Sequence, residues 1–228
     1  MRFLLVLPIV LVFIVHTARG QAHLVPTDGY FTPSGSEQAY YRTLRQKLLV
    51  GLSDDRGPMA LIVVQPTFQP EYILHLSRKG PDHTLTVRTC HRIIWSLLKQ
   101  QNGADSVASL PLIEHRRLID PSLFAQLTEL FITCTNQAHY RKRKRPISVA
   151  GSPALIELDV GVDGTYYDFV ASDGGRTWSG RTYSPADRSL MGELVALTDD
   201  LVALANGKGT EAGLRVRTQR LYKKIAAE

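Results

Sequence analysis

The chain has 228 residues, 44% of them hydrophobic, two cysteines and a formal net charge of +6. It is long enough for one core with an appendage, and neither cysteine sits in a CxxC pair, which excludes the commonest zinc and redox motifs. The basic excess favours anionic partners and says nothing about fold.

Arg2 precedes an apolar run, Phe3 to Val15, of signal-peptide length and short for a bilayer span. Ala18-Arg19-Gly20 offers small residues ahead of a cut before Gln21, so a cleavable signal is expected over residues 1–20, with an uncleaved anchor as the alternative. Cleavage would remove Arg2 and Arg19, lower the net charge to +4, and leave an exported chain without a transmembrane span.

An extended lead-in, rich in Pro, Gly and Ser, fills residues 21–35. Ser34-x-x-Glu37 resembles a capping box for a helix bearing Tyr40, Leu44 and Leu48. Met59 to Val64 is apolar at every position, as in a central strand. Glu71 to Ser77 and His83 to Cys90 form a hairpin around Lys79-Gly80-Pro81-Asp82, with Leu76 by Leu85, Leu74 by Val87 and Tyr72 by Thr89. Its other side carries His75, Thr86, Ile73 and Arg88 and is expected to be wet. Ile93 to Leu98 reads as another strand or a bent extension, and Leu112 to Ile119 as a strand. Asp120-Pro121 starts a helix with the stripe Leu123, Leu127, Leu130, Phe131 and Cys134.

Residues 154–183 read as a three-stranded meander with turns at Gly-Val-Asp-Gly and Ser-Asp-Gly-Gly. Centring those turns places Ile156, Phe169 and Trp178 in one row, and Leu158, Tyr167 and Gly180 in the next, on a buried face. Glu157, Asp168 and Ser179, then Asp159, Tyr166 and Arg181, fall on the opposite, solvated face. Leu190, Leu194, Leu197, Leu201 and Leu204 mark a helix closed by Gly207. The spacing of Leu214, Leu221 and Ile225 gives a basic, helical tail over 208–228, after a single domain over 36–207. The fold class is α+β, an antiparallel sheet of hairpins and meander packed by two or three helices.

Ala60-Leu-Ile-Val-Val-Gln-Pro-Thr-Phe-Gln-Pro-Glu-Tyr72, Leu85-Thr-Val-Arg88, Asp163-Gly-Thr-Tyr166 and Gly180-Arg-Thr-Tyr-Ser-Pro185 resemble an uncharacterised family of exported bacterial proteins. The resemblance implies a place in the bacterial envelope and brings no activity or catalytic residue with it.

The sharpest chemical cluster is the wet face of the meander. Glu157 opposite Asp168 would be a like-charge pair of the kind that raises one pKa, and a hydrolase could use it as acid and base. Asp159, Tyr166 and Arg181 flank the pair as binding residues; the bland alternative is a solvated face balanced by Arg181. Arg141, Lys142, Arg143, Lys144 and Arg145 form a basic loop suited to an anionic surface, or to keeping the protein soluble. Export makes nucleic acid a less natural partner than a protein or an anionic envelope polymer. The histidines His23, His75, His83, His91, His115 and His139 lack zinc-site spacing, and no metal or cofactor is expected. Cys90 and Cys134 could be bridged in an oxidising compartment, although the register puts Cys90 on the polar face and Cys134 in an apolar stripe. No nucleophile elbow is present, and the hairpin glycines open no helix that could hold phosphate.

The reading that follows is an exported, non-enzymatic binding protein of the envelope, of inhibitor or immunity type. An envelope-polymer hydrolase using Glu157 and Asp168, and a basic adaptor or assembly factor, are the alternatives.

Overall fold

The computed structural model describes residues 21–27, 38–52, 60–99, 107, 109–140 and 164–228. Seven strands form one antiparallel sheet: β1 (Val25–Pro26), β2 (Ala60–Pro66), β3 (Tyr72–Lys79), β4 (Asp82–Cys90), β5 (Leu112–Leu118), β6 (Thr165–Asp173) and β7 (Arg176–Tyr183). Their spatial order is β1-β7-β6-β2-β3-β4-β5. The helices are α1 (Gln38–Leu48), α2 (Ile94–Leu98), α3 (Pro121–Tyr140), α4 (Leu190–Ala205) and α5 (Glu211–Ala226).

Helices cover both faces. One face packs Ile62, Val64, Leu74, Leu85 and Phe169 against Leu127, Leu130, Phe131, Leu197, Leu201 and Leu221 of α3, α4 and α5. The other packs Leu61, Val63, Ile73 and Val170 against Leu44 and Leu48 of α1 and Ile94 and Leu97 of α2. Double coverage explains why β2 is buried along almost its whole length, as its unbroken apolar run requires.

The β3–β4 hairpin has the predicted register, with Leu76 opposite Leu85 and Tyr72 opposite Thr89. Gly80, at φ 60°, takes the first turn position before Pro81, as a type II′ turn demands. The side of this hairpin expected to be wet is instead buried at His75, Thr86 and Arg88. The β6–β7 pairing lies two residues from the predicted one, with Phe169 opposite Gly180 and Ala171 opposite Trp178. Gly174 and Gly175 both adopt positive φ, 54° and 94°, so the turn is Gly-Gly of type I′ rather than Asp-Gly. A slip of two leaves every side chain on its face, because strand side chains alternate with period two.

Two further expectations are corrected. The neighbour of β6 on the side away from β7 is β2, with Val63 opposite Asp168. A short connection favours sequential pairing, but a strand apolar on both faces has to sit in the middle of the sheet, and β2 takes that place. Residues 94–98, expected to be extended, form α2, because the Glu71 carboxylate accepts the backbone N–H of Ile94 at 2.8 Å and of Trp95 at 3.2 Å.

α3 starts where the sequence predicts, while the Ser34-x-x-Glu37 capping box expected before α1 lies outside the described residues. Asp120 Oδ1 accepts from the N–H of Ser122 at 2.8 Å and of Leu123 at 3.3 Å, with Pro121 in the first turn of α3. Ser189 accepts from Gly192 N–H at 3.0 Å to open α4, and Gly207, at φ 76°, follows its end. The basic tail is helical and built into the core: Leu214, Leu221 and Ile225 of α5 are buried between α3 and α4. Three of its cations are paired, Arg215 with Asp120, Arg217 with Asp200 and Lys224 with Glu193. Among the described residues, no helix is long and apolar enough to cross a membrane.

The lead-in also joins the fold. β1 pairs with β7, and the Thr182 hydroxyl donates to Gln21 Oε1 at 2.6 Å. A Cβ on Gly180 would lie 2.7 Å from Leu24 Cβ, so the bare glycine admits the Leu24 side chain. The sequence alone placed this glycine beside Tyr167, which instead stands opposite Thr182.

Candidate functional site

Alternation along β6 and β7 puts Tyr166, Asp168 and Val170 beside Ser179, Arg181 and Tyr183 on the face covered by α1 and α2. Asp168, expected in solvent, is only 1% exposed. Arg181 grips it through two hydrogen bonds, Nε to Oδ1 at 2.6 Å and an η nitrogen to Oδ2 at 2.9 Å. Gln65 Nε2 donates to the same Oδ2 at 2.9 Å. A buried carboxylate with bidentate arginine and an amide is a satisfied ion pair.

Arg181 extends from that pair towards the surface. Burial alone would lower its pKa; the Asp168 carboxylate outweighs burial and, with a hydrogen bond to Tyr41, holds the guanidinium above its ordinary value. Its Cζ lies 5.2 Å from the Tyr166 ring centroid, within cation–π range. The Tyr166 and Tyr183 ring centroids are 4.6 Å apart.

A second buried carboxylate anchors the same face. Glu71 accepts the Tyr40 hydroxyl at 3.0 Å in addition to the α2 amides. Burial first, and then Glu71, raise the Tyr40 phenol well above its ordinary pKa, so it stays a donor. The Tyr40 ring meets Tyr41 and Trp95 edge to face, each at 5.2 Å. Trp95 is 40% exposed, and Lys99 Nζ stands 4.5 Å from its ring. Lys99, Trp95, Tyr40, Tyr41, Arg181, Tyr166 and Tyr183 thus form a chain of contacts, an aromatic and basic belt over two buried acids.

Of the residues expected to form a site, Asp168, Tyr166 and Arg181 are brought together. Glu157, Asp159 and Arg141 to Arg145 lie outside the described residues. The cross-strand place beside Asp168 expected for Glu157 is held by Val63 on β2, with Arg181 on β7 at the other side. The Cys90–Cys134 bridge is also corrected. Both thiols are free, Cys90 in the α1/α2 layer and Cys134 in the α3/α4/α5 layer, with the sheet between them. Burial pushes each thiol up to about 12, with Glu71 adding to the rise at Cys90. His75 is buried and His91 exposed, and among the described residues no group of three or more His, Cys, Asp or Glu could hold a metal ion.

Sequence reasoning missed Gln65, Glu71, Tyr40, Tyr41, Tyr183 and Trp95. Gln65 ends an otherwise apolar strand, and a lone amide in such a run signals a buried partner. The others carried no signal, because their meeting depends on α1 and α2 folding over the sheet. The sequence matches no protein-family model, and neither a curated protein nor a solved structure matches it.

Proposed function

We propose that this is an exported, non-enzymatic binding protein of the bacterial envelope, of inhibitor or immunity type. It takes a protein or an anionic envelope polymer on the belt running from Lys99 and Trp95 to Arg181, Tyr166 and Tyr183. The observation that carries the reading is this juxtaposition of exposed Trp, half-buried Tyr and cationic side chains on one face of the sheet. Tyr, Trp and Arg supply most hot spots at interfaces, because they bury large area at small entropic cost. The buried acids support the belt: Asp168 is held by Arg181 and Gln65, and Glu71 by Tyr40 and two amides. Both carboxylates are engaged by these partners, which weighs against a hydrolase reading built on Asp168. The adaptor reading keeps Arg141 to Arg145 but loses part of the tail charge, since Arg215, Arg217 and Lys224 are paired within the fold. The apolar run before Gln21 supports export.

Fractionation followed by N-terminal sequencing tests location, with Gln21 expected first in the periplasmic or secreted fraction. Pull-down from envelope extract tests binding, with one stoichiometric partner expected at moderate salt and lost by the double variant Trp95→Ala/Lys99→Ala. Partners that dissociate with salt alone would favour the adaptor. Turnover of a glycan or peptide would overturn the non-enzymatic reading.

A further inference from the structure

We infer that the protein forms a twofold-symmetric dimer through the edge of β5 that no described strand covers, joining two sheets into one. The surface is separate from the belt and does not rest on the reading above. β5 ends the strand order, and Ile113 and Leu118 on it are 44% and 65% exposed.

The backbone fixes which groups are free. His91 N–H donates to Pro111 C=O at 3.3 Å, and Ile119 N–H to His83 C=O at 2.9 Å. Odd-numbered residues of β5 therefore point their peptide groups at β4. Leu112, Glu114, Arg116 and Leu118 point theirs outward, a row of donors and acceptors with no strand partner among the described residues.

Edges of this kind are usually protected by like charges that repel a copy. The charges of β5 do the reverse in one register. Antiparallel pairing about a twofold axis at His115 sets Glu114 opposite Arg116 of the second copy and Arg116 opposite its Glu114. Leu112 then meets Leu118, and each outward-pointing residue meets another, so the ladder closes. Moving the axis to Glu114 or Arg116 confronts like charges. Pairings that mix odd and even residues leave outward peptide groups facing inward ones. Glu114 already lies 3.2 Å from its own Arg116 and is paired with Arg88, so the junction would carry alternating charge in both directions. Opposite-charge and apolar cross-strand pairs of this type stabilise a sheet, and a closed isologous contact is the commonest way for copies to associate. The occupant is therefore a second copy.

Sedimentation equilibrium of the full chain is expected to show a reversible dimer. Arg116→Glu, at a side chain 60% exposed, sets Glu against Glu across the axis and should raise the dissociation constant about tenfold or more. Arg116→Pro removes an outward N–H without touching the β4 ladder and should give a monomer. His115→Cys should form a disulfide-linked dimer in mild oxidant, because directly opposed non-hydrogen-bonded residues lie within disulfide reach. Ile113→Cys and Arg117→Cys should not. Circular dichroism of each variant confirms that the fold is intact. A monomer at all concentrations, a dimer indifferent to Arg116→Pro, or cross-linking at 113 or 117 but not at 115 would overturn the inference. A monomer that binds an acidic extended peptide along β5 would overturn it too, in favour of that partner.

Discussion

The two faces of the sheet are stabilised in different ways. Under α3, α4 and α5 the interior is a leucine-rich layer, with Leu127, Leu130, Leu194, Leu197 and Leu201 fully buried. Under α1 and α2 the apolar contacts are interrupted by Asp168, Glu71 and Arg88, each holding several partners. Arg88 donates to the carbonyls of Leu48 and Val50 at the end of α1 and pairs with Glu114. Glu71 performs the complementary task at the start of α2. The first face gains its stability from area removed from water, which is insensitive to direction. The second depends on directional bonds, where one lost partner strands another in a low-dielectric setting. Thus the polar face specifies where two short helices sit, and the apolar face supplies most of the adhesion.

The largest expected break in this contrast is Asp168→Ala. It leaves the Arg181 guanidinium without its carboxylate and should cost about 3–5 kcal/mol in urea unfolding. The double variant Asp168→Leu/Arg181→Met should recover most of that loss, since apolar replacement of a buried pair is often neutral. Failure to recover would mean that the pair adds net stability.

Glu71→Ala should cost about 2–3 kcal/mol by orphaning the amides of Ile94 and Trp95 and the Tyr40 hydroxyl. Glu71→Gln keeps an acceptor and should cost less. Hydrogen exchange localises the effect, with α2 expected to lose protection before α3.

On the leucine-rich face, Gly180→Ala should cost about 1–3 kcal/mol, because its methyl group would overlap Leu24. The change should release β1 while leaving the α1/α2 network intact, so proteolysis near Val25 is the sensitive readout.

The smallest effect concerns the cysteines. Native protein should react with a thiol reagent at pH 8 at neither Cys90 nor Cys134, and unfolded, unreduced protein should titrate two thiols. Zero thiols on unfolding would restore the bridge that the opposed layers forbid.

Much of the fold was legible. The β3–β4 register followed from Gly80-Pro81, the α3 and α4 stripes from leucine spacing, and the start of α3 from Asp120-Pro121. The face assignment of β6 and β7 was legible as well, even with the turn misplaced, since a slip of two conserves parity. The site was less so. Asp168, Tyr166 and Arg181 were read onto one face, but a carboxylate alternating with apolar residues looks solvated whenever its cover is distant in sequence. Gln65 lies 103 residues from Asp168, and no local period records that contact.

Local order, β1 and α2 excepted, was determined by the sequence itself: which of the described segments are strands or helices, and which side chains share a face. These follow from nearest-neighbour sterics, capping and periodicity. Only the tertiary structure decided that β2 separates β6 from β3, that both faces are covered, and that Asp168 meets Arg181 rather than another acid. Such choices rest on burying apolar area on two sides of one strand and on desolvating charges in pairs, and both depend on partners far apart along the chain.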